Sequence, residues 1–179
     1  MHGVFHRGFR DFVLEEYGDH AWSTAREASG VDRQVYLPVN YYPDAEFISL
    51  VEGVGSTVDD APFDFLEEFG RFMATRLLDT YGRTVDDGWD ALAVVERAES
   101  DVHAALREHD PELSPPRLDC NREAPDRVRV VYASSRRLCP VAVGLVEGVG
   151  AEFGESLSVT EERCVHRGDE RCELVVTRR

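Results

Sequence analysis

Three groups of residues in this chain carry side chains that could do chemistry. The first is His103, which lies beside an apolar stripe of Val95, Val102 and Leu106 in a segment with helical spacing. A histidine in such a place serves as a packed core residue, a metal ligand or an acid–base group, and its position alone leaves all three open.

The second group is Tyr132, Ser134 and Arg136, at the end of a valine-rich segment that predicts a strand over residues 127–133. Side chains alternate between the faces of a strand, so we expect a phenol, a hydroxyl and a guanidinium on one face. Such a row of donors suits one or two carboxylates, which arginine binds in a bidentate manner. A solvated strand edge is the alternative.

The third group is the four cysteines, Cys120, Cys139, Cys164 and Cys172. Cys164 and Cys172 flank a predicted hairpin turn at residues 167–170, and His166 lies beside Cys164. Cysteine and histidine are the usual zinc ligands, and zinc takes about four. In a cytoplasmic protein, which we expect here, the cysteines favour metal binding or redox sensing over a disulfide scaffold. Isolated buried thiols are the alternative.

The elements that must position these residues change in type along the chain. Apolar residues at helical spacing predict helices in the N-terminal part, and alternation and apolar runs predict strands and one helix after Pro116. The sequence therefore predicts an α+β protein. The predicted helices span residues 4–29 with a break at Gly18, then 41–53, 63–78, 89–108 and 138–153, and the predicted strands span 127–133, 157–166 and 171–177.

Composition excludes several classes of function. The chain has 35 acidic and 20 basic residues, a net charge of −15, and every basic residue is arginine. Such a surface repels phosphate backbones, so we expect no nucleic-acid partner. No apolar run reaches the roughly 20 residues of a membrane helix, so we expect no membrane insertion. The acidity resembles that of proteins from salt-loving microbes. We find no phosphate loop or acid–base pair and expect no enzyme.

Taken together, His103 and the row resemble the H-NOX family of haem nitric oxide/oxygen binding domains. The agreement covers nearly the whole chain, and the spacing from His103 to Pro111 and Pro115-Pro116 is its most specific part. Other matching segments are Met1-His2-Gly3, Phe12-Val13, Tyr17-Gly18, Trp22, 28–31, Tyr42-Pro43-Asp44, Leu50-Val51, Phe69-Gly70 and 144–148.

The resemblance implies a single H-NOX domain over residues 1–179. Its helical N-terminal subdomain would span about 1–62, and its C-terminal subdomain, about 63–179, would combine an antiparallel sheet with helices that enclose haem. By the same resemblance, His103 is the proximal ligand of haem b iron. The propionates fall to Tyr132, Ser134 and Arg136, and the haem pocket includes Phe5, Pro115, Val141 and Leu145.

The resemblance also implies which gas is sensed and how. Family members that bind oxygen stably carry a distal tyrosine, where this chain has Val141, and the segment 72–74 offers no donor either. An apolar pocket favours nitric oxide. In the family, nitric oxide weakens the iron–histidine bond and the N-terminal helices shift. We expect the signal to pass to a separate protein, such as a histidine kinase, a cyclase or a chemotaxis receptor.

Some H-NOX proteins carry a cysteine zinc site. This implies Cys139, Cys164 and Cys172 as zinc ligands here, with His166 as the fourth and Cys120 in reserve. Residues 164–176 also resemble the ending of V4R-type ligand-binding domains, which leaves a structural role open. Two alternatives to the haem sensor remain, a zinc/cysteine redox sensor and a haem-free module that binds a small ligand.

Overall fold

The structure is a computed structural model that describes residues 1–58 and 63–179. The chain divides into two compact units, residues 1–65 and residues 66–179. The subdomain boundary predicted from the sequence, between residues 62 and 63, adjoins residues 59–62, which lie outside the described part. Within the described part, no helix is both long and apolar enough to cross a membrane.

The first unit is helical. It contains α1 (Gly3–Glu16), α2 (Gly18–Ser29) and α3 (Asp44–Gly55). The predicted break at Gly18 is confirmed, and the φ of +81° at this residue explains why glycine occupies it. The third helix begins three residues after its predicted start, because Pro43 precedes it and disfavours helical backbone in the residue before.

A buried histidine, His6, lies in the aromatic core of this unit. The ring is 0% exposed, stacks on Tyr36 with 4.8 Å between ring centroids, and meets Phe47 edge-on. Burial lowers the pKa of His6 to about 4, assisted by the nearby N-terminal ammonium and opposed by the carboxylate of Glu46. The imidazole is therefore neutral at physiological pH.

The helices of the second unit position His103. They are α4 (Asp64–Tyr81), which belongs to this unit from Leu66 onward, α5 (Ala91–Glu96), a π-helical turn (Ala98–His103), α6 (Ala104–His109) and α7 (Cys139–Glu152). The single helix predicted over residues 89–108 is wrong in its middle. There the Val102 N–H donates to the carbonyl of Arg97, five residues back, at 3.3 Å. Such π turns are frequent at functional sites.

The second unit also contains a four-stranded antiparallel sheet. Its strands are β1 (Arg117–Ala124), β2 (Arg127–Ala133), β3 (Leu157–Arg163) and β4 (Cys172–Arg178), in the order β1-β2-β4-β3. The predicted α+β class is confirmed. The prediction missed β1, and the third strand ends at Arg163 rather than at residue 166. The turn expected at residues 167–170 belongs to a longer connection, 164–171, which includes a 3₁₀ turn.

One face of the sheet packs on α5 and α7. The buried residues of this core are Ala91, Leu92, Val95, Val128, Val130, Val143, Leu157, Leu174 and Val176. Helices α4 and α7 approach each other so closely at Gly70 that a side chain there would collide with the carbonyl of Val141. One at Gly144 would collide with the carbonyl of Glu67. These glycines fix the position of α7, which carries Val141 and Leu145.

His6 makes the stability of the first unit depend on pH. Its pKa lies near 4 when folded, below its ordinary value of 6.5, so the unfolded chain binds more protons between these pH values. Stability from the neutral ring is fully present above pH 6.5 and is lost as the pH falls toward 4. We expect His6→Phe to remove this loss, a difference of up to about 3 kcal/mol at 1.36 kcal/mol per pKa unit.

Urea unfolding of the parent and the variant at a series of pH values between 4 and 7 measures this difference. The variant His20→Gln, which removes an exposed histidine, serves as the control and should follow the parent. Parallel curves for the parent and His6→Phe would show that His6 does not cause the acid sensitivity.

Candidate functional site

His103 is the last residue of the π-helical turn. Its side chain is 16% exposed, and Nδ1 lies 3.1 Å from Oε2 of Glu99, four residues earlier. Burial lowers the pKa of His103, against the hydrogen bonds to Glu99 and to the backbone at Pro116. The ring is therefore neutral at physiological pH, which is the form that binds metals.

Glu99 connects the histidine to two other elements. Its Oε2 also accepts the backbone N–H of Leu118, at the start of β1, at 3.2 Å, and its Oε1 accepts Nη1 of Arg107 on α6 at 2.8 Å. Burial raises the pKa of Glu99, but the hydrogen bonds from Arg107, His103 and Leu118 outweigh it, so that the pKa lies below its ordinary value. The group is an anion that accepts three hydrogen bonds.

Sequence reasoning did not single out Glu99. The signal that could have found it is the spacing Glu99-x-x-x-His103, because residues four apart on a helix are neighbours on its surface. Arg107 follows His103 at the same spacing.

The row of donors lies partly outside the strand that was predicted to carry it. Tyr132 is on β2, but the strand ends at Ala133, and Ser134 and Arg136 lie in the turn that follows. The three residues are nevertheless connected, Arg136 through its backbone. The backbone N–H of Arg136 donates to Oγ of Ser134 at 3.2 Å, and the Ser134 side chain is hydrogen bonded to the hydroxyl of Tyr132. Burial raises the pKa of Tyr132 to about 12.

Two hydrogen bonds and the strand register bring His103 and the row to one end of the sheet. Leu118, whose N–H is bound to Glu99, pairs with Tyr132 across β1 and β2. Four residues before Leu118, the carbonyl oxygen of Ser114 accepts a hydrogen bond from Nη1 of Arg136 at 2.7 Å. The intervening segment, which contains Pro115 and Pro116, is thus attached to both the histidine and the row.

The residues predicted to line a pocket are placed as follows. Phe5 is half-buried on α1 of the first unit. In the second unit, Pro115 is half-buried before β1, Val141 is buried in the first turn of α7, and Leu145 is half-buried one turn later. The expected lack of a polar group near Val141 rests on Phe72, Met73 and Ala74 of α4, of which Met73 and Ala74 are buried.

Three of the four cysteines lie together. The Sγ atoms of Cys139, Cys164 and Cys172 are buried and lie within 4.8 Å of one another, with 3.8 Å between those of Cys139 and Cys164. Burial raises the pKa values of Cys139 and Cys164. Burial therefore favours the protonated form of these two thiols.

The other two predicted zinc residues are not part of this cluster. His166 is half-buried, and its Nε2 lies 2.8 Å from the carbonyl oxygen of Arg137. Cys120 packs against the apolar core of the sheet, where burial raises the pKa of its thiol to about 12. The chain thus brings together three thiols and leaves the fourth ligand of a zinc site unassigned.

The donor chemistry of the second unit fits haem. A metal-bound histidine almost always donates its other ring N–H to a carboxylate or carbonyl, which is the relation between His103 and Glu99. A phenol, a hydroxyl and a guanidinium are the donors that two propionates require. These residues lie at the same end of one sheet.

Comparison with known proteins agrees with this chemistry. A family model described as Haem-NO-binding (HNOB) matches residues 2–161. The soluble guanylate cyclase gcy-32 of Caenorhabditis elegans is 28% identical over 93 residues, which are 51% of this chain and 13% of that protein. The chain thus spans a small part of the length of that relative.

Solved structures share the fold. An H-NOX protein from S. oneidensis in its Fe(II)NO ligation state superposes with a TM-score of 0.90 at 24% identity, covering 100% of this chain and 99% of that one. The unliganded Fe(II) H-NOX protein from K. algicida gives a TM-score of 0.87 at 17% identity, covering 100% and 97%. At these identities the likeness concerns the fold alone.

Proposed function

Because this chain belongs to the Haem-NO-binding (HNOB) family of H-NOX domains, we propose that it senses nitric oxide through haem b, with His103 as the iron ligand. The observation that carries the proposal is the neutral, buried imidazole of His103, whose Nδ1 faces a carboxylate that favours metal binding through Nε2. Ferrous haem supplies the iron centre at which the gas binds.

The row supplies the second half of the haem site. Tyr132, Ser134 and Arg136 would bind the propionates, for which the guanidinium offers five N–H donors in a fixed geometry. The hydrogen bond from Arg136 to the Ser114 carbonyl holds the guanidinium at this end of the sheet. Pro115, next to Ser114, would then press on the macrocycle, and Val141 and Leu145 would line the pocket.

The choice of gas follows from the apolar residues on α4 and α7. Bound oxygen carries negative charge on its outer atom and gains from a hydrogen-bond donor, whereas bound nitric oxide gains much less. The side chains of Met73, Ala74 and Val141 are buried and contain no N–H or O–H group. We infer that the pocket selects nitric oxide over oxygen.

We infer that the signal passes to a separate protein. One relative is named as a soluble guanylate cyclase, and a histidine kinase or a chemotaxis receptor would serve equally well as a separate partner. We infer that the chain senses and does not catalyse.

We expect His103→Ala to abolish coordination of the haem iron by the protein. The ferrous parent should show a Soret band that shifts when nitric oxide is added, and the variant should lose most of its haem and recover a band when free imidazole is supplied. His109→Ala, which changes an exposed histidine on α6, is the control. A parent without a Soret band after incubation with haem, or a variant with unchanged spectra, would contradict the proposal.

The selectivity is tested with the same ferrous protein in air. We expect no stable oxygen-bound spectrum, only the unliganded form or slow oxidation to the ferric form, because no donor holds the outer oxygen atom. The variant Val141→Tyr places a phenol in α7 and should lengthen the lifetime of the oxygen-bound form. A parent that holds oxygen for hours in air would disprove selection by apolarity.

A second candidate function is favoured by the cysteine cluster. Three buried thiols within 4.8 Å of one another form three quarters of a tetrahedral zinc site. We propose that Cys139, Cys164 and Cys172 bind zinc, with His166 as the first candidate for the fourth ligand, and that oxidation of the thiols would release the metal. The protein would then sense oxidants as well as nitric oxide, or oxidants alone if it binds no haem.

Metal analysis of haem-free protein tests this site by itself. We expect about one zinc ion per chain, a loss of most of the zinc in Cys164→Ser, and full retention in the control Cys120→Ser. The variant His166→Ala tests whether His166 is the fourth ligand, since the loss of a ligand should lower the zinc affinity about 10-fold or more. Protein that contains no zinc after purification and after titration with zinc would disprove the site.

A further inference from the structure

We propose that Glu99 is a positioning residue for the haem site. By accepting the Nδ1–H of His103, it fixes Nε2 as the metal-binding nitrogen, strengthens the iron–histidine bond and so sets how readily that bond yields to nitric oxide. This inference rests on the proposed haem function. It concerns a residue that neither the apolar stripe nor the donor row involves.

The contact between Glu99 and His103 is built into the helix. Glu99 and His103 lie at the second and the last position of the π-helical turn, and Nδ1 and Oε2 are 3.1 Å apart. Both side chains are mostly buried, with 29% exposure for Glu99 and 16% for His103. Water therefore competes poorly for this hydrogen bond.

Glu99 cannot easily turn away from this contact. Its Oε2 is also held by the N–H of Leu118, and its Oε1 by the guanidinium of Arg107. A rotation of the carboxylate would break all three hydrogen bonds and leave the Leu118 N–H without this acceptor. The carboxylate is therefore preorganised toward His103 by the strand on one side and by α6 on the other.

A neutral imidazole carries one proton, and a carboxylate at Nδ1 holds that proton there, which leaves the lone pair of Nε2 for a metal. The partial negative charge that the carboxylate induces makes the ring a more basic ligand. A more basic imidazole would bind haem iron more strongly.

Arg107 modulates this effect with the opposite sign. Its guanidinium lies 2.8 Å from Oε1 and withdraws charge from the carboxylate. Loss of this cation should increase the pull of Glu99 on the His103 proton. Substitutions of Glu99 and of Arg107 should therefore change the basicity of the His103 ring in opposite directions. A merely structural role does not predict this difference.

The experiment compares the full-length parent with Glu99→Gln, Glu99→Ala and Arg107→Gln. Resonance Raman spectra of the ferrous, haem-loaded proteins report the iron–histidine stretching frequency. We expect it to fall in the order parent, Glu99→Gln, Glu99→Ala, and to rise in Arg107→Gln. Haem transfer to an excess of a haem-free acceptor protein should be about 10-fold faster in Glu99→Ala.

Asp101→Asn is the matched control, because it removes a carboxylate from the same turn that interacts with Arg97, at 4.0 Å, and with the hydroxyl of Ser100 rather than with His103. It should leave the stretching frequency unchanged. In haem-free protein, ¹⁵N NMR of the His103 ring should show the proton on Nδ1 in the parent and a mixture of tautomers in Glu99→Ala. This readout needs neither haem nor activity.

The outcomes separate the two proposals. If haem binds through His103 but the frequency and the tautomer are the same in all Glu99 variants, the role of Glu99 is wrong and the haem function stands. If the parent binds no haem while the tautomer still depends on Glu99, the haem function fails and the positioning of His103 is retained. Equal changes in Asp101→Asn would show a general effect of charge and would overturn the proposal.

Discussion

The Glu99 carboxylate is the interaction on which the geometry of the second unit's site depends. It joins the π-helical turn, the first strand and α6 through His103, Leu118 and Arg107. A mostly buried carboxylate is costly unless its oxygens are hydrogen bonded, and each hydrogen bond to a charged group returns about 1.5–3 kcal/mol. Three donors on two oxygens meet that demand.

The same carboxylate explains how a helix and a sheet define one site. Its bond to Leu118 sets the position of His103 relative to β1, and the register of β1 with β2 sets Tyr132 opposite Leu118. Tyr132 in turn pairs with Cys172 on β4 and packs in one buried cluster with the three thiols. The donor row and the cysteine cluster therefore share a wall, and residues 132–139 contribute to both.

Residue type, spacing and the family resemblance together selected His103, the donor row and the cysteines as candidates, and their roles stay predictions. The hydrogen bonds that connect these residues were not predicted. β1 was missed because its outer positions are polar and only Leu118 and Cys120 pack against the core, which gives a weak apolar alternation.

The π-helical turn could not be predicted from the sequence for a different reason. An apolar stripe is compatible with α-helical or π-helical hydrogen bonds, and only the packing of Glu99 and His103 against β1 distinguishes them. The position of His166 depends on the conformation of the connection between β3 and β4, where its Nε2 reaches the carbonyl of Arg137. Spacing along the chain does not determine such a contact.

The excess of acidic residues makes the role proposed for Arg136 more important. A chain with a net charge of −15 would repel the two propionates of haem if net charge governed binding. Charges farther apart than about 10 Å are largely screened at 0.1 M salt, so the groups next to the propionates decide. A guanidinium in hydrogen-bonding distance of its supporting carbonyl keeps its charge and its direction. In a chain without lysine, the proposed propionate site would therefore depend on the placement of single arginines, and higher salt would weaken the distant repulsion more than the local attraction.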